Sequence, residues 1–171
     1  EEANVLAGAQ EFLARESPLM MLEFAAEGKL NEDIFDPLIE AGCTTYRLVP
    51  GLNILAPFYE SEEPDAYQLN LFACGESRAA SLEGENRLVT SPAHKPPALK
   101  ETSLDRLLAL PYASGRANDW LAYSERSRGG STNARYLEAL RRYYAAHDDA
   151  NNATTRLWAL EQAYVELREL V

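Results

Sequence analysis

"YQLNLFAC" (Tyr67–Cys74) is the stretch on which the fold turns. Tyr67, Leu69, Leu71 and Ala73 fall on one face of an extended chain, and Gln68, Asn70, Phe72 and Cys74 on the other. That is the two-residue period of a strand. "LNILAPF" (Leu52–Phe58) precedes it, separated only by the acidic loop "YESEEPDA" (Tyr59–Ala66). A parallel connection needs about a dozen residues or more, so the strands at this end of the sheet are expected to pair antiparallel.

Outward from there, "TTYRLV" (Thr44–Val49) reads as the preceding strand, bent at Pro50-Gly51, with "LNILAPF" continuing it in extended form. Before it, Asn31 suits a helix N-cap, with Glu32 and Asp33 in a first turn that favours anions. Ile34, Phe35, Leu38 and Ile39 make the buried face of that helix, and Gly42 supplies a left-handed stop. "LMMLEFA" (Leu19–Ala25) is a nearly unbroken apolar run. Such a run marks a strand covered on both faces, and so a parallel α/β sheet. Ahead of it, Val5, Leu6, Ala9, Phe12 and Leu13 share one face of a helix over residues 3–15, halted by Ser17-Pro18.

Beyond a short helix near Ser77–Leu82 the character changes. "TSPAHKPPALKET" (Thr90–Thr102) is Pro-rich and aperiodic, a linker or extended arm. The rest is helical. "SLDRLLAL" ends at Pro111. Asn133 is placed to cap "ARYLEALRRYYAAH", and Thr154 or Thr155 to cap a last helix carrying Leu157, Leu160, Tyr164, Leu167 and Val171. "DDANN" joins these two into an αα-hairpin. The expected organisation is an α/β portion over residues 1–90, a linker over 91–102 and a helical extension over 103–171.

Bulk properties narrow the function. Sixteen Lys and Arg against 27 Asp and Glu give a formal charge of -11, which disfavours nucleic acid and anionic membrane as partners. Cys43 and Cys74 stand in apolar surroundings without CxxC spacing. They read as small buried hydrophobes of a reducing, cytoplasmic compartment. His94 and His147 are far apart, so no His-based metal site is expected. The longest apolar run is far short of the roughly 20 residues of a membrane span.

The opening, "EEANVLAGAQEFL" followed by "SPLMMLEF", resembles the second half of an FkbM-type methyltransferase domain. That family reads Asp-x-Glu-Gly-x-Glu-x-x-Val-Leu-x-Gly-Ala, then a helix, then Pro and a strand ending in Glu. Glu2, Val5, Leu6, Gly8 and Ala9 match the second part of the motif, and Pro18, Met21 and Glu23 match the strand. "AGCTTYRL" is similar to the family's Gly-Tyr strand entry, with Cys43 in place of Tyr, and "YQLNLFAC" to its closing strand. The likeness covers about residues 1–90.

The resemblance implies the C-terminal half of a Rossmann-like class I sheet, followed by an all-α tail. Its strands five, six and an antiparallel seven would be present, with seven between the other two. It also implies methyl transfer from S-adenosylmethionine to a hydroxyl of a sugar or secondary metabolite. The cofactor's glycine-rich turn would lie upstream. No G-x-G follows a strand in this sequence, so no cofactor-binding residue is assigned, and the chain as it stands is not expected to bind the cofactor well. Half of such a sheet leaves strand five unpaired at one edge. Either the chain is excised from a larger ordered protein, or it covers that edge as a homo-oligomer.

Three residues are candidates for the site. Glu23 ends an apolar strand where doubly wound folds present side chains to their cleft. It reads as a base or orienting carboxylate for a hydroxyl, or as a rim acid paired with a cation. Glu2, at the family's last acidic position, is a contact to the substrate or its polar network, or a first-turn acid suited to the helix dipole. Asn70 is a substrate ligand or, by the ordinary rule for polar groups among apolar ones, a buried amide satisfied by backbone. Tyr46 and Arg47 read as packing and surface. The Tyr136–Tyr144 stripe reads as hairpin core rather than a partner face, and Glu60–Asp65 as a solvated hairpin tip without the ligand geometry of a calcium loop. The alternative to an enzyme is a non-catalytic interaction module made of a degenerate α/β half and a helical hairpin.

Overall fold

The computed structural model describes residues 2–26, 29–59, 69–91, 109, 111, 115, 118, 119, 122 and 132–170. The chain divides into two compact units, Glu1–Ser91 and Pro92–Val171.

The first unit is mixed α/β. Its elements are α1 (Glu2–Gly8), α2 (Gln10–Glu16), β1 (Met20–Glu23), β2 (Ala25–Ala26), β3 (Lys29–Leu30) and a 3₁₀ turn (Glu32–Ile34) running into α3 (Phe35–Glu40). Then come β4 (Cys43–Val49), β5 (Ile54–Pro57), β6 (Asn70–Gly75) and α4 (Glu76–Gly84). Four strands form one sheet in the order β1-β6-β4-β5, and β2 pairs with β3 in a small separate ladder. Each hydrogen-bonded pair in the larger sheet is antiparallel. β6 therefore lies between β1 and β4 and runs against both, so β1 and β4 point the same way.

Several expectations are corrected here. The sheet's paired neighbours are not parallel, and β1 is not covered on both faces. Leu22 is buried, while Met21 on the opposite face is 65% exposed. An apolar run signals burial only where something packs on each side. "LNILAPF" does not extend the strand before it. The chain turns back at Pro50–Asn53, with Gly51 at φ 82° and Asn53 at φ 54°, and pairs β5 with β4 from Val49↔Ile54 to Tyr46↔Pro57. β6 pairs with the side of β4 away from β5, so β5 and β6 are not neighbours. The long helix expected over residues 3–15 is two helices broken at Ala9, after Gly8. Leu6 and Leu13, seven residues apart, face the core, and Val5 and Phe12 stay exposed. Ile39 is exposed too, whereas Gly42 at φ 68° stops α3 as expected.

Two cores hold the sheet. On one face Leu22, Leu71, Ala73 and Cys43 pack under Leu6, Leu13, Ile34, Phe35 and Leu38 from the helical side. Phe24, Phe35 and Phe58 meet there edge-on and stacked, with centroids 5.5–6.4 Å apart. On the other face Tyr46, Leu55, Cys74 and Leu88 are covered by Ala79 and Leu82 of α4. The two cysteines are free and on opposite faces, and burial pushes the Cys74 thiol up to about 11. Leu55 exchanges backbone bonds with Arg87 and Val89, which closes the outer side of β5. Among the described residues no strand pairs with the outer side of β1.

In the second unit, α5 (Thr132–Ala146) and α6 (Ala153–Arg168) form an antiparallel hairpin. Asn152, not Thr154 or Thr155, caps α6, its side chain accepting the Thr155 N–H at 2.9 Å. α5 starts by Thr132, so Asn133 lies inside it and is no cap. At the turn, Asn151 Nδ2 and Arg156 Nε donate to the carbonyls of Ala145 and Ala146 in the last turn of α5, and Ala145 also accepts the Asp148 N–H. Arg135 pairs with Glu166 and Glu169, and Arg142 with Glu138 and Glu166, while Arg142 also sits over the Trp158 ring. The Tyr136–Tyr144 stripe divides: Leu137 is buried, and Tyr136 and Tyr143 are exposed. Residues 92–108 and the Glu60–Asp65 loop lie outside the described residues.

Candidate functional site at the carboxyl end of β1

β1 ends at Glu23, and the chain makes the short β2–β3 ladder before returning at Asn31. That detour brings Asn31 back beside the strand it left. Its N–H donates to the Phe24 carbonyl at 2.8 Å, and its Nδ2 to the Glu23 carbonyl at 3.4 Å. The same Nδ2 donates to Glu2 Oε2 at 2.6 Å, a short, charge-assisted bond across 29 residues of sequence. Glu2 sits in the first turn of α1, half-buried. Three elements therefore meet at one point: the amino end of α1, the carboxyl end of β1 and the segment leading into α3.

β6 supplies the fourth component. The Phe24 N–H donates to the Leu69 carbonyl at 2.8 Å, so the next pair along, Glu23↔Asn70, is of the non-hydrogen-bonded kind. In such pairs the two side chains stand closest and share a face of the sheet. Glu23 and Asn70 are both exposed, on the face that α4 leaves open beside β1. Met21, opposite Phe72, is the apolar neighbour on that face.

All three candidates from the sequence thus lie at one end of one strand, with the Glu23 and Asn70 side chains on the α4 face and Glu2 on α1, which packs on the other face. Asn70 is corrected in one respect: it is exposed, because β6 begins there at the sheet's rim. Tyr46 belongs to the core, and burial raises its hydroxyl pKa. Arg47 is half-buried on β4, opposite Ala56. Asn31 was legible only as a cap. It stands at the N-cap position of the 3₁₀ turn yet makes no side-chain cap bond, and its Nδ2 donates to Glu2.

Chemically, the site offers carboxylates and amides to a polar, uncharged group. Carboxylates accept from hydroxyls, and exposed amides donate and accept. Among the described residues no three His, Cys, Asp or Glu side chains are grouped to hold a metal ion, and no helix is long and apolar enough to cross a membrane. A scan against protein-family models, a search of curated proteins and a search of solved structures each found no match.

Proposed function

We propose that this chain supplies the closing strands and the acceptor side of an S-adenosylmethionine-dependent O-methyltransferase of the FkbM type. The observation that carries the proposal is the placement of β6, antiparallel between two strands that run alike. It corresponds to strand seven between five and six, the arrangement that the resemblance implies. The gathering of Glu2, Glu23 and Asn70 where the carboxyl end of β1 meets the amino end of α1 supports the same reading, since open α/β sheets bind ligands at strand carboxyl ends. Among the described residues no strand pairs with the outer side of β1, and further strands of the sheet would add there.

In this proposal Glu23 orients the acceptor hydroxyl and takes its proton, Asn70 holds a neighbouring polar atom of the acceptor, and Glu2 completes the polar wall. Acceleration comes chiefly from positioning the hydroxyl oxygen, with proton removal second. The acceptor is a small molecule or glycan bearing a free hydroxyl. The residues of this chain do not make a cofactor site: the sequence has no G-x-G turn to approach a nucleoside.

The test is calorimetric titration of S-adenosylmethionine into the protein expressed from its full reading frame, beside this 171-residue chain. The proposal expects binding by the former and none by the latter. No binding by either favours the non-enzymatic interaction module.

A further inference from the structure

Resting on that reading, we infer that Asn31 is a positioning residue of the transfer site, holding the Glu2 carboxylate against the end of β1. Asn is a favoured N-cap, and capping stabilises a helix start. Here the residue occupies the cap position at φ -95° and ψ 71°, and its side chain leaves that role unfilled. The amide instead reaches Glu2 Oε2 at 2.6 Å. A residue that abandons the local task its type suits, in favour of a contact across 29 positions, marks a place where local rules yield to a site.

The anchorage runs through backbone as well as side chain. Asn31 is fixed to β1 by its own N–H on the Phe24 carbonyl, and its Nδ2 also approaches the Glu23 carbonyl. The carboxylate on α1 is thereby set relative to the backbone that carries the Glu23 side chain. A carboxylate held in this way loses rotamer freedom before an acceptor arrives, which is how preorganisation raises the rate of a positioned reaction. The partner must donate, because a carboxylate accepts and never donates when ionised, and it must have the reach of the Asn amide, which the shorter Ser hydroxyl lacks.

Asn31→Asp separates the two roles. Asp is isosteric and caps helices as well as Asn, but it offers Glu2 an acceptor instead of a donor. The measurement uses the full-reading-frame protein with S-adenosylmethionine, glycerol and methyl glucoside as hydroxyl probes in excess, and S-adenosylhomocysteine release as the readout. Asn31→Asp and Asn31→Ser are expected to lower kcat about tenfold or more while KM for the cofactor and the melting temperature hold. The exchange Glu2→Gln with Asn31→Asp restores a donor–acceptor pair in reverse, and kcat is expected to stay low because the carboxylate has moved. Full turnover by Asn31→Asp overturns the inference, as does a fall in kcat that is matched by loss of melting temperature in both variants, since that marks a merely structural role. Absence of turnover by the unsubstituted protein counts against the proposed function itself, and the inference falls with it.

Discussion

The two ends of β1 are each closed by side-chain hydrogen bonds that reach far along the sequence, but they spend polar groups differently. At the amino end, Ser17 follows α2 in a left-handed conformation at φ 45°, and its hydroxyl accepts the Arg78 N–H at 3.3 Å. Arg78 is the third residue of α4, so Ser17 caps that helix from another part of the chain. The Arg78 guanidinium returns a bond to the Ser17 carbonyl at 3.4 Å. Each group does what its type does best. At the carboxyl end, Asn31 leaves a cap unfilled to hold a carboxylate, and Glu23 and Asn70 stand side by side in the open. Polar clusters are common at strand ends; the one that sets local stability aside is the one to examine for chemistry.

Substitutions can break or sharpen that contrast. The largest effect belongs to neither end. Leu71, fully buried opposite Leu22 in the middle of the β1–β6 pair, holds both ends on one core. Leu71→Ala is expected to cost about 2–5 kcal/mol in chemical denaturation and to weaken both ends together. A selective loss at one end would show that the ends are not anchored through the same core.

Ser17→Ala comes next, at about 1 kcal/mol of stability with no change in turnover, because a cap is lost and nothing more. Gly75→Ala sharpens the point further. A Cβ there would stand 2.8 Å from Ser17 Oγ but 3.5 Å from Ser17 Cβ. The clash is with the hydroxyl alone, so Gly75→Ala is expected to be a few tenths of a kcal/mol milder in the Ser17→Ala background than in the native one. Additive melting shifts would separate Ser17 from Gly75 and leave the amino end without its interlock.

What the sequence made legible follows the reach of each interaction. The strand period of "YQLNLFAC" holds over Asn70–Cys74, Tyr67 and Gln68 lying outside the described residues, and the left-handed stop at Gly42 is found; both are local. The reversal at Pro50–Asn53 shows locally only as the bend at Pro50-Gly51; whether the chain bends or folds back is decided by the pairing of Ile54–Pro57 with β4, which sequence alone does not display. Leu6 and Val5 are adjacent, and helical spacing alone could not choose which would face the core; packing under α3 decided for Leu6. Glu2, Glu23 and Asn70 are candidates from their places at element ends, and the structure puts all three near the carboxyl end of β1. Asn31 is not among them, because its partner lies 29 residues away and its type already had a sufficient local explanation.

The central claim is that chemistry resides where β1 ends and α1 begins. Glu23→Gln tests it most directly: the amide keeps the size and polarity of the side chain and removes its capacity to take a proton. In the full-reading-frame protein, S-adenosylhomocysteine release with a hydroxyl acceptor is expected to fall about 100-fold, while the melting temperature stays where it was. Turnover equal to that of the unsubstituted protein would contradict the account.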